Sequence, residues 1–291
     1  MSVLPRCVPF ANSRPSPEIT DTVKTTPQRL RLLSYNIQTG ITTSGYRHYL
    51  THSWKHVLPC TKRLDNLSRI ASMASEFDIV GLQEVDGGSL RSGFINQTEY
   101  LAIEGRFPYW SDQTNRNLGK LGQHSTGVLS RLCPAEVIEV KLPGMIPGRG
   151  ALTLRYGHGT DALVLVVAHL ALGQRARLRQ VQCIAEIIQD YRHVIVMGDM
   201  NCRSESHEID WLVKRAGLRE PTHNLPTFPS WQPSRNLDQI LVSPSLTIER
   251  VEVLSHAFSD HLPIAMDVIL PMTLQRFDDQ CKSAVLPLAA A

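Results

Sequence analysis

The stretch VIVMGDMNC, residues 194–202, decides how the rest of the chain is read. Val194 to Met197 form a short apolar run without a polar break, the pattern of a strand buried on both faces. The run stops at Gly198-Asp199-Met200-Asn201, where two polar groups stand two residues apart. In extended backbone such residues point to the same side, so Asp199 and Asn201 share a face. A rigid strand that ends in paired polar side chains can hold chemistry in a fixed geometry.

The same arrangement recurs along the chain. The run Leu30 to Tyr35 ends in Asn36, and Asp78 to Leu82 ends in Gln83-Glu84. Ala162 to Ala168 ends in His169. Asp238 opens the run through Ile240, Leu241 and Val242, and Asp260-His261 stands just before Leu262-Pro263-Ile264. If these strands share a sheet edge, their polar ends converge on one site. Between them lie helical patterns. Leu64, Leu67, Ile70, Met73 and Ala74 repeat at helical spacing, as do Leu178, Val181, Ile184, Ala185 and Ile188. Residues 206–216 form a third candidate helix, closed by Gly217. Strands interleaved with helices predict a mixed α/β layered fold.

Residues 41–60 and 86–126 read as long irregular loops. Residues 1–28 and 272–291 read as tails, leaving one domain over 29–271. The 291 residues are 42% hydrophobic and 20% charged, an ordinary globular balance that can bury a sizeable core. A net charge of +3 is too weak for an obligate nucleic-acid binder. None of the six cysteines forms a C-x-x-C pair, so a zinc ribbon is not expected and the thiols read as mostly reduced. With neither a long apolar leader nor a membrane-length run, the expected location is the cytoplasm.

The residue set suits phosphoester hydrolysis. Glu84 and Asp260 are hard oxygen donors of the kind magnesium or manganese prefers. Asp199 can orient a water while Asn201 donates to a phosphate oxygen. Asp238 is the candidate carboxylate partner that would fix the tautomer of His261.

In order, LSYNIQTG (33–40), IVGLQEVD (79–86), VVAHLALG (166–173), VIVMGDMNC (194–202), NLDQILVS (236–243) and FSDHLPIAMDV (258–268) resemble the motif set of the endonuclease/exonuclease/phosphatase superfamily. That group embraces the deoxyribonuclease-I-like and exonuclease III-like enzymes, and this chain resembles a bacterial-type subgroup of it. GDMN and SDHLP behind a QEV motif are together specific, although each alone is weak. The resemblance implies a four-layer αββα sandwich with two facing mixed β-sheets. It implies hydrolysis of a phosphodiester with magnesium or manganese, a phosphomonoesterase acting on an inositol-like headgroup and a non-catalytic phosphate-binding module being the alternatives. By resemblance, Asn36, Glu84 and Asp260 would hold the metal. Asp199 would position or deprotonate the water, Asn201 and His169 would bind phosphate, and His261 would act with Asp238. The implied partner is a phosphoester, with nucleic acid and a phospholipid headgroup both open, and the chain is expected to act as a monomer.

Gly127 in HSTGVLSR (124–131) fits the family's next strand, where Asn is common beside the glycine and Thr126 stands here. Arg149 in PGRGALTL (147–154) reads equally as a phosphate contact and as a loop residue. Arg175, Arg177 and Arg179 read first as a solvated helix face, with a basic rim as the sharper reading. His48, His52 and His56, interleaved with Tyr49 and Trp54, read as a lid or packed insert rather than zinc ligands. Tyr100, Tyr109 and Trp110 read as packing residues before they read as stacking platforms for a base.

Overall fold

A computed structural model describes residues 28–41, 61–119, 121–144, 148–222 and 224–274. In chain order the elements are β1 (Arg29–Asn36), α1 (Thr61–Ala74), β2 (Ile79–Asp86), α2 (Gln97–Glu104), β3 (Tyr109–Asn117), β4 (Gln123–Ser130) and β5 (Glu136–Lys141). There follow β6 (Gly150–Tyr156), β7 (Leu163–His169), α3 (Gln174–Ile188), β8 (His193–Asp199), α4 (His207–Ala216), β9 (Asp238–Val242), β10 (Thr247–Val253) and β11 (Ile264–Ile269). The insert holding His48, His52 and His56 lies outside the described residues.

The strands form a six-stranded sheet, ordered β10-β11-β1-β2-β4-β3, and a five-stranded sheet, ordered β5-β6-β7-β8-β9. Both are mixed: β1 runs parallel to β2 and β7 parallel to β8, and the other pairs are antiparallel. Strand alternation builds the layers. Leu30 and Leu32 of β1, Leu165 and Val167 of β7, and Ile195 and Met197 of β8 point into one core between the sheets. The intervening residues face outward. Leu33 and Tyr35 pack under α1 and α2, and Val194 and Val196 under α3 and α4. Three cores between four layers give the expected αββα sandwich.

The helices follow their apolar periods, with two refinements. Leu64 is 40% exposed, so the buried stripe of α1 begins at Leu67. Helix α4 ends where Gly217 takes a left-handed conformation (φ 63°) and its N–H bonds to the Val213 carbonyl. The expected irregular loop over 86–126 is corrected by the structure: the stretch contains α2, β3 and the start of β4. Strand β3 is an edge strand reading YWSDQTNRN, and its pairing with β4 rather than an apolar alternation makes it a strand. Order also runs past residue 271, since Leu274 is buried in the inter-sheet core. Cys183 and Cys202 are free thiols as expected, whereas Cys133 is disulfide-bonded.

Two glycines permit close packing, one between the sheets and one within a sheet. A Cβ on Gly81 would lie 2.7 Å from the Met197 methyl across the inter-sheet core. Gly198 adopts φ 145°, and a Cβ there would collide with the Ala168 carbonyl of the neighbouring strand. Gly198→Ala is therefore expected to cost at least about 2 kcal/mol, read as a fall in denaturant midpoint. An unchanged midpoint would contradict this packing.

His193 is buried at the start of β8, with Nδ1 2.8 Å from the Ser245 hydroxyl. Burial, and then Arg192, hold its pKa below the ordinary 6.5. The folded state thus prefers the neutral ring. The stability this contributes is complete above 6.5 and is lost as pH falls from there through the lower folded value. The wild type should lose more Tm than His193→Gln between about pH 7.5 and about pH 5. Equal losses would rule out His193 as a contributor.

Candidate active site

The two inner faces meet at a rim where the strands end, and parity decides which side chains reach it. Asn36 continues the inward alternation of Leu30 and Leu32, His169 that of Leu165 and Val167, and Asp199 that of Ile195 and Met197. Asp238 stands in register with Asp199, and His169 with Asp199 on the other side. Simple alternation would send Glu84 outward with Val80 and Leu82. A register break between Leu82 and Val85 inserts an extra residue, and Glu84 takes φ 55°. This bulge lets Val85 return to the outer core while Glu84 is spared for the rim.

Asp199 is the hub. Its Oδ2 accepts a hydrogen bond from Asn36 Nδ2 at 3.1 Å and lies 3.4 Å from His169 Nε2 and 3.8 Å from His261 Nε2. Its Oδ1 accepts the backbone N–H of Asn201 at 2.9 Å. Asn201 has φ 51°, and its Nδ2 donates to the Leu170 carbonyl at 2.8 Å, which uses one of its two amide hydrogens. Glu84 and Asn201 thus both occupy backbone conformations that non-glycine residues rarely take, a kind of strain that gathers at functional sites.

His261 is held on its other nitrogen, where Nδ1 lies 2.7 Å from Asp238 Oδ2. The Thr227 hydroxyl donates to the same oxygen at 2.5 Å. The loop carrying Asp260 and His261 is clasped by Ser230, whose N–H bonds to the Asp260 carbonyl at 2.7 Å, and by Leu262, whose N–H bonds to the Thr227 carbonyl at 2.8 Å. The Phe228 ring packs on His261 at a centroid distance of 4.8 Å. Thr227 and Phe228 carry no signal in the sequence, because they lie in an irregular loop without periodicity.

The charges sort by environment. Burial works against a charged His261, but Asp238, then Asp199, outweigh it and raise its pKa to about 10. For His169 burial wins over Asp199, and the pKa falls to about 3. Burial first, and the Glu84 and Asp199 carboxylates with it, push Asp260 up to about 6 despite His261. A buried carboxyl raised by its carboxylate neighbours, as Asp260 is, marks a site suited to a hard divalent cation. Asp199, Asp238 and His261 also bring ligand atoms within 4.8 Å of one another. In that trio, however, Asp238 Oδ2 already serves His261 and Thr227. Glu84 and Asp260 are the remaining carboxylates that could hold a cation, and Asn36 Oδ1, which also accepts the Gln38 N–H at 3.1 Å, could join them through its second lone pair.

Of the residues singled out in the sequence, Asn36, Glu84, His169, Asp199, Asn201, Asp238, Asp260 and His261 all come to this rim. Arg149 joins them: burial lowers its pKa while Glu84 and Asp199 counteract this, so its guanidinium lies in their field. Arg177 does not serve a basic rim, since it pairs with Glu208 at 2.8 Å. Tyr109 is paired with Ser130, at the end of β4 remote from the rim, and Tyr100 bonds to Ser68. A Cβ on Gly127 would lie 2.6 Å from the Thr98 hydroxyl, so this glycine admits α2 to the sheet rather than a ligand to the rim.

Two facing mixed sheets with carboxylates and histidines along one rim define a class of phosphoester hydrolase scaffolds. The chain belongs to the endonuclease/exonuclease/phosphatase family, whose model matches residues 33–261. The fold is similar to an endonuclease/exonuclease/phosphatase from Beutenbergia cavernae DSM 12333, with TM-score 0.67 and 20% identity over 83% of this chain and 72% of that one. It is similar to a mannosyl-6-phosphatase from Bacteroides thetaiotaomicron VPI-5482, with TM-score 0.62 and 18% identity over 83% of this chain and 100% of that one. The human Nocturnin catalytic domain with bound sulfate anion aligns with TM-score 0.59 and 17% identity, over 84% of this chain and 94% of that one. A comparison with curated proteins gives no match. No helix among the described residues is long and apolar enough to cross a membrane.

Proposed function

We propose that this protein hydrolyses a phosphodiester with an activated water and a magnesium or manganese ion. The observation that carries the reading is the Asp199 hub, a buried carboxylate faced by Asn36, His169 and His261 beside the Glu84 and Asp260 carboxylates. Glu84, Asp260 and the Asn36 carbonyl oxygen would hold the cation. When bound, such an ion polarises the phosphoryl oxygen and steadies the leaving oxygen.

The protein's own groups do the rest. Asp199 Oδ2 takes a proton from the attacking water, whose oxygen forms a new bond to phosphorus as the ester P–O bond breaks. His261, oriented through Nδ1 by Asp238, presents Nε2–H toward the rim and supplies the proton to the leaving oxygen. Neutral His169 and the second amide hydrogen of Asn201 donate to the non-bridging phosphate oxygens. Thr227 shares the Asp238 oxygen that orients His261, so it steadies the pair.

A second reading, a phosphomonoesterase, draws on the likeness in fold to a mannosyl-6-phosphatase. The two are separated by paired assays on bis-p-nitrophenyl phosphate and p-nitrophenyl phosphate, with magnesium or with chelator. Faster turnover of the diester supports the first reading and faster turnover of the monoester the second. Turnover of both that ignores chelation would sink the metal assignment.

A further inference from the structure

Beside the hydrolytic centre the rim turns basic, and the sheet register shows how. His124, the second residue of β4, lies on the face that Val128 turns into the inter-sheet core, so its ring looks toward the same cleft. Arg116 is its direct partner across the β3–β4 ladder and shares that face. A Cβ on Gly148 would lie 2.9 Å from Arg116 Cβ, so the Arg116 stem packs on the segment that carries Arg149 from the opposite sheet. On the far side of His124, Arg91 Nη1 lies 3.4 Å from the imidazole Nε2.

These three guanidiniums are not equivalent. Arg91 is neutralised by a buried ion pair with Asp86. Arg116 and Arg149 form no ion pair among the described residues, although Arg149 is half-buried and near Glu84 and Asp199. Two guanidiniums without a direct ion pair, Arg116 and an Arg149 held only in the field of Glu84 and Asp199, stand beside an imidazole at the active cleft and are matched by an anion. A cation bound by Glu84 and Asp260 would serve the scissile phosphate, leaving these arginines for another group.

We propose that Arg116 and Arg149, with His124 beside them, form a second anion subsite that takes a second phosphate carried by the same substrate. This rests on the phosphoesterase reading for the scissile phosphate and narrows its substrate class to phosphoesters with a second phosphate close to the first. A sugar bisphosphate and a nucleotide that carries a neighbouring phosphate share this chemistry.

The test is a metal-free calorimetric titration of two matched pairs: glucose 1,6-bisphosphate against glucose 6-phosphate, and thymidine 3′,5′-bisphosphate against thymidine 5′-monophosphate. In the wild type the bisphosphate of at least one pair should bind about 10-fold tighter or more, as a charge-assisted contact implies. The pair with the larger ratio names the source of the phosphate. In Arg116→Gln/Arg149→Gln that ratio should fall below about 3-fold. Arg116→Gln alone, at an exposed side chain, stands in should the double variant misfold. A wild-type ratio near one for both pairs, or a ratio that survives the substitutions, overturns the subsite. Turnover plays no part in the titration. Its failure therefore leaves the hydrolase reading standing, and an absence of metal-dependent turnover leaves the titration interpretable.

Discussion

Asp199→Asn lowers kcat/KM by about a thousandfold, about 4 kcal/mol of transition-state stabilisation, while the protein stays folded. The expectation follows from the position of this carboxylate rather than its burial alone. Asn36, His169, His261 and the Asn201 backbone all aim at its two oxygens. An amide keeps the shape, and its single oxygen can still accept from the Asn201 backbone N–H, so only the bond from Asn36 is lost and the fold is spared. It cannot take a proton from water, so the loss falls on kcat rather than KM. A folded Asp199→Asn protein with near-normal kcat would remove Asp199 from the chemistry.

Asp238→Asn is expected to cost about a hundredfold or more in kcat, and His261→Gln a similar amount. Asp238 touches no substrate atom in the proposed mechanism; it acts by holding His261 through Nδ1. The double variant should therefore be little worse than either single one, because residues acting as a unit lose their joint effect once. Fully additive losses would mean that the two act independently. His261→Ala is a poorer probe, since it strands the buried Asp238 carboxylate, whose Oδ1 already lacks a hydrogen bond among the described residues.

Much of this arrangement is legible in the sequence. Strands β1, β2, β7 and β8 are buried on both faces, so their apolar runs stand out and their polar ends mark the rim. Helices α1, α3 and α4 show the spacing of one buried stripe. What was not legible has physical causes. Strands β3, β5 and β10 lie at sheet edges and carry polar or charged residues, because half their surface faces solvent. They are strands because of their neighbours, which a local pattern does not contain. The Glu84 bulge is also invisible locally, since it consists of one residue too many against β4. Thr227 and Phe228 reach His261 only because the loop before β9 is fastened to the one before β11. The juxtaposition of Arg116 with Arg149 depends on contact between opposite sheets. The residues that could do chemistry were written in the sequence, but their directions and the groups that hold them belong to the tertiary structure.

The most direct measurement is hydrolysis of bis-p-nitrophenyl phosphate by wild type and Glu84→Ala side by side, each with magnesium and with chelator, and each checked for folding. The expected result is magnesium-dependent turnover by the wild type that chelation abolishes, and none above background from the folded variant. Turnover that persists in chelator, or in folded Glu84→Ala, would contradict a metal-dependent hydrolase centred on this rim.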